Sequence, residues 1–98
     1  LFYKTMKTKV ERKQIFVTIT NSLEMCDPRH SNSYSSDSRS RYWGCLAKWM
    51  FEEDTPSNRS IISGKYNGHR AVTTSDIGFL LALQELERLG YDTTTSPN

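Results

Sequence analysis

Two cysteines and two histidines are the residues of this chain best suited to chemistry, and their spacing decides what kind. Cys26 and His30 have three residues between them, whereas Cys45 and His69 each stand alone. Thiolate and imidazole are the usual ligands of tetrahedral zinc, but a structural zinc site draws on two compact pairs and only Cys26/His30 is compact. A disulfide between Cys26 and Cys45 would close a loop of about twenty residues and stabilise the fold by limiting the unfolded chain, ~3 kcal/mol in the entropic account. That is a secreted-protein device, and Asn58-Arg59-Ser60 is a glycosylation sequon that fits such a compartment. Two reduced thiols, Cys45 half-buried on a helix, is the default reading. A Cys45–His69 or Cys26–His30 dyad rests on residue type alone, because no third group or oxyanion hole accompanies either. The chain has no phosphate-cradling glycine loop, nucleophile elbow, HExxH or paired CxxC. The expectation is a non-enzyme with no metal and no other cofactor.

The second candidate chemistry is charge. Net charge is only +2, but residues 1–70 hold twelve Lys or Arg against seven Asp or Glu, leaving one and four for the rest. Any basic face therefore lies in the first two thirds. Lys9, Lys13, Arg41, Lys65 and Arg70 are the cations proposed for a nucleic acid, interleaved with Tyr42, Trp43 and Tyr66, whose rings can stack on bases. Against this stand a sequence pI near 8.6 and the lack of a helix-turn-helix or RNP motif. Nucleic-acid binding is thus the alternative. The favoured function is a non-catalytic protein–protein interaction module, a small regulator, inhibitor or adaptor that meets another protein or itself. Trp43, Ile77, Leu80 and Leu81 are its candidate contacts, large apolar groups in excess of what one small core needs.

Elements must position these residues. The clearest is a helix over Thr73–Tyr91, with Thr74 or Ser75 as N-cap, Asp76 in the first turn and Gly90 as C-terminal cap beneath a Tyr91–Leu86 contact. Phe79, Ala82, Leu83, Leu86 and Leu89 recur at helical spacing and are expected to face the core, leaving Ile77, Leu80 and Leu81 on the other side for a partner. A second helix is expected within Arg41–Asp54, capped by Ser40, weakened by Gly44 and stopping near Phe51 or Glu52, where the acidic run opposes the helix dipole.

Gln14–Asn21 is β-branched and alternates Ile15, Val17, Ile19 with Phe16, Thr18, Thr20, so it is read as a strand, extended by Leu23 and Met25 and closed at Asp27-Pro28. Thr55–Asn58 reads as a turn. Asn67-Gly68 is the strongest hairpin signal in the chain and predicts short strands at Arg59–Ser63 and His69–Thr73. The predicted class is α+β: one small domain spanning 1–98, with a short antiparallel sheet, one N-terminal strand plus a hairpin, packed on two helices. A flexible leader (1–12), a Ser-rich loop (27–40) and a C-terminal tail (92–98) complete it. At 98 residues and 36% hydrophobic content the core is modest, and no stretch approaches the ~20 apolar residues a membrane span needs. A soluble protein without membrane association is expected, with an intracellular location favoured over a secreted one.

Overall fold

The computed structural model describes residues 8–28 and 41–94, of which 71% are helical. The described residues form four α-helices, α1 (Lys9–Ser22), α2 (Gly44–Phe51), α3 (Pro56–Asn67) and α4 (Thr74–Arg88), with a 3₁₀ turn at Glu24–Cys26 after α1 and short loops between α2 and α3 and between α3 and α4. There is no strand among the described residues, so the class is all-helical and the expected α+β sheet is corrected. The Ser-rich stretch and His30 lie outside the described residues. No described helix is long and apolar enough to cross a membrane.

The segment read as a strand is the body of α1. Its start is a capping box: Glu11 N–H donates to Thr8 Oγ1 (3.2 Å), and Thr8 N–H donates back to the Glu11 carboxylate (3.2 Å). The helix therefore begins inside the segment taken for a leader. Its buried residues, Phe16, Ile19 and Thr20 with Leu23 just beyond, follow the i, i+3, i+4, i+7 rule. Thr20 hid this pattern. Its hydroxyl donates to the Phe16 carbonyl (2.8 Å), which removes its polar demand and lets it pack fully buried. The alternation that suggested a strand reflects β-branched composition, and tertiary packing overrode that propensity.

The expected hairpin is absent: its first strand, Arg59–Ser63, lies within α3, and its second, His69–Thr73, is the irregular loop between α3 and α4. Thr55 caps α3 by accepting from Asn58 N–H (3.1 Å), and Pro56 occupies the first turn, where its missing N–H costs nothing. Gly68, with φ 86°, is the helix's left-handed C-terminal cap. Asn-Gly fits a hairpin because positive φ is easy there, and a helix terminus asks for the same conformation.

The ends of α4 are locally encoded. Thr73, one residue before the expected caps, forms a second capping box with Asp76. At the far end Gly90 N–H donates to the Glu87 carbonyl and Tyr91 N–H to that of Leu86, both at 3.0 Å, closing a Schellman motif. The α2 helix ends at Phe51 as expected, with Glu52 left-handed (φ 70°). Gly44 opens α2 because a side chain there would strike the Tyr42 ring and the Asp54 carboxylate.

All four helices contribute to one core. Phe16 and Ile19 of α1, Leu46 and Ala47 of α2, Ile62 of α3 and Ile77, Leu80 and Leu83 of α4 meet Leu23, Met25, Cys26, Trp43 and Val72 from the connections. The α1 helix packs chiefly on α4. Glu87 fastens the 3₁₀ turn: its carboxylate accepts from the N–H groups of Glu24 (2.8 Å) and Met25 (3.1 Å) and from Thr93 Oγ1 (2.7 Å). Trp49 Nε1 donates to the Thr93 carbonyl (2.8 Å), so the first residues of the expected tail pack on the body.

Candidate functional site

The thiols are placed for structure. Both cysteines are free, Cys26 buried and Cys45 half-buried with its Sγ 3.5 Å from the Thr94 carbonyl. Burial pushes the Cys26 thiol up to about 12, and burial likewise raises that of Cys45. Both shifts disfavour the thiolate, the reactive form of cysteine. His69 lies exposed in the α3–α4 loop. No three His, Cys, Asp or Glu side chains converge on a metal-sized site among the described residues.

The four residues assigned to a partner do not share a surface. Trp43 is 9% exposed, its ring 5.1 Å from that of Tyr66 at a tilt of 57°, and Ile77 and Leu80 are in the core. Only Leu81 is exposed, at 49%. The apolar faces of α4 are exchanged relative to expectation. The helix turns Asp76, Ile77, Leu80 and Leu83 inward. The face expected inside is largely outside: Phe79 is 36% exposed and Leu89 59%, Ala82 is exposed, Leu86 is half-buried, and Leu83 alone of that set is fully covered. With Tyr91 at 65%, four of the five exposed large hydrophobic residues among the described residues sit on α4 and its cap. Phe79, Ala82, Leu89 and Tyr91 are thus the surface residues that sequence reasoning assigned to the core or its cap. The signal available was the capping box, which places Asp76 at an inward-facing position of the first turn.

The five cations proposed for nucleic acid separate into two groups. Lys65 and Arg41 are consumed by the fold. Lys65 Nζ lies 2.7 Å from the Asp76 carboxylate, a pair mostly shielded from solvent. Burial alone would raise the Asp76 pKa, but hydrogen bonds from Lys65 and Thr73 outweigh it and hold the carboxyl below its ordinary value. Arg41 Nη2 donates to the carbonyls of Thr20 (3.3 Å), Asn21 (3.4 Å) and Leu23 (3.4 Å), acceptors at the end of α1. Tyr66, offered as a stacking ring, donates its hydroxyl to Asn21 (2.8 Å).

Lys9, Lys13 and Arg70 come together. They line an open groove of about 490 Å³ between the first turns of α1 and the loop 68–72. Arg12 Nε donates to the Val72 carbonyl (2.8 Å), clamping that loop to α1. Arg70 is aimed by two features: its N–H bonds the Gly64 carbonyl (3.1 Å), and its aliphatic stem lies over Gly64 of α3. No carboxylate lines the groove. The molecule thus presents an apolar strip on α4 and a cationic groove beside α1. No protein-family model matches the chain, and neither a curated protein nor a solved structure does, so the functional reading stands on these two surfaces.

Proposed function

We propose that this domain is a non-catalytic protein-interaction module that docks an apolar helix on the outer face of α4, and that a second copy of the chain supplies that helix. The observation that carries the reading is the run Phe79, Ala82, Leu86 and Leu89, at three- and four-residue spacing on one side of α4, in which Phe79, Ala82 and Leu89 are exposed and Leu86 is half-buried. Apolar groups exposed singly need no explanation, whereas a contiguous strip along a helix is the signature of a docking surface. The helix is 15 residues long, ~22 Å at its normal rise. Antiparallel pairing of two such helices about residue 84 sets Phe79 opposite Leu89 and small Ala82 opposite Leu86. The same patch then covers itself, as a two-fold interface requires.

Sedimentation velocity from about 10 μM to about 1 mM, the span in which so small an interface dissociates, tests this. Wild type is expected to move from monomer to dimer, and Leu89→Glu and Phe79→Glu to remain monomeric with unchanged helicity. Wild type that stays monomeric throughout, or a Leu89→Glu dimer as tight as wild type, overturns the reading.

A further inference from the structure

We propose that the groove between α1 and the α3–α4 loop binds the phosphodiester backbone of a single-stranded nucleic acid. This rests on a different surface from the α4 strip, and neither depends on the other. Four other cations among the described residues are engaged: Lys65 with Asp76, Arg59 with Asp54 (2.8 Å), Arg88 with Glu85 and Arg41 with helix-end carbonyls. Lys9, Lys13 and Arg70 meet no carboxylate among the described residues, yet they converge from two elements on one concave surface. Cations that serve only solubility gain nothing from such convergence, since like charges repel. An anion gains from all three.

Several features select an extended phosphate polymer over a single compact anion. Lys9 and Lys13 are four apart on α1 and so project side by side, in reach of successive phosphates. They occupy the first two turns of the helix, near the positive end of its dipole. The groove is open, not enclosing, and in sequence Lys4 and Lys7 continue the basic run upstream. Val10, Ala71 and Val72 give it an apolar floor against which sugars and bases can rest, and the exposed imidazole of His69 is the one ring in its lining, with no Phe, Tyr or Trp. Binding is accordingly electrostatic and indifferent to base sequence.

Fluorescence anisotropy with a labelled oligothymidylate of about 20 nucleotides, titrated at several salt concentrations, tests the proposal. Three phosphate contacts predict that log affinity falls with log salt with a slope of roughly −2. Lys13→Glu/Arg70→Glu is expected to weaken binding at least about tenfold at low salt and to flatten that slope. Lys48→Glu, which reverses one exposed charge on α2, serves as the control for net charge and is expected to leave binding near wild type. Should the double reversal unfold the domain, Lys13→Gln and Arg70→Gln remove the charges singly and carry the same test. Leu89→Glu is expected to bind the oligonucleotide as wild type does. Undetectable binding at low salt overturns the proposal, as does equal weakening by Lys48→Glu, or competition by polyglutamate as effective as by unlabelled oligonucleotide.

Discussion

The two faces of α4 are nearly equal in apolar content and opposite in fate. The inner face carries Ile77, Leu80 and Leu83, all in the core, together with Asp76 and Glu87, whose carboxylates accept hydrogen bonds from other parts of the fold. The outer face carries Phe79, Ala82 and Leu89, open to solvent. Hydrophobicity does not separate them. The inner face is the one whose polar groups find partners: Asp76 meets Lys65 and Thr73, and Glu87 meets the 3₁₀ turn. On the outer side, Glu85 pairs only with Arg88 of the same helix and gains nothing from the rest of the fold. Burying a carboxylate without partners is costly, so the position of complementary donors decides which apolar face goes inward.

The sharpest break of this contrast is truncation at matched leucines. Leu80→Ala empties a fully buried site and is expected to cost roughly 2–5 kcal/mol in urea unfolding, while Leu89→Ala changes stability by less than about 0.5 kcal/mol. Equal losses at both would mean the outer face is covered in solution, which a dimer at the assay concentration would explain. Next in size, Glu87→Ala strands the N–H groups of Glu24 and Met25 and is expected to cost about 2 kcal/mol. Glu85→Ala, on the outer side, provides the near-neutral reference.

The Lys65–Asp76 pair supplies a pH-dependent test. Because the folded carboxyl titrates below its unfolded value near 3.9, its contribution is fully present above that pH and is lost as pH falls through the folded pKa. Lys65→Met removes a hydrogen bond that lowers this pKa. The variant is expected to lose about 1 kcal/mol near neutrality and to begin acid unfolding at higher pH than wild type. An unchanged acid transition would show that Thr73 alone holds the charge. Leu89→Glu is expected to change stability as little as Leu89→Ala, within about 0.5 kcal/mol, although it abolishes the proposed pairing. A similar inside–outside contrast applies to the thiols: Cys45 should be alkylated in the native state well before Cys26, whose reaction should require unfolding.

How much of this was legible depended on whether the signal was local. The extent of α4, its Gly90 cap and the stop of α2 were readable because caps are set by neighbours in sequence. The start of α1 was equally readable in Thr8-x-x-Glu11, but β-branched composition outweighed it and produced a strand. Asn67-Gly68 announced positive φ without saying whether a hairpin or a helix end would use it. For the basic site, the residue types were visible and the grouping was not. Lys65 and Arg70 are five apart in sequence, yet one is paired with Asp76 and the other opens onto the groove beside α1.

By itself, then, the sequence determined where α4 runs and where α2 stops, and that α4 has two apolar sides, since capping and periodicity are properties of one short segment. Only the tertiary structure decided that residues 14–21 are helical, which face of α4 is buried and which cations remain available. Each of those outcomes depends on groups far away along the chain. Phe16, Ile19 and Leu23 come from about 60 residues upstream to cover Ile77, Leu80 and Leu83. Arg12 reaches the loop at Val72 that completes the groove.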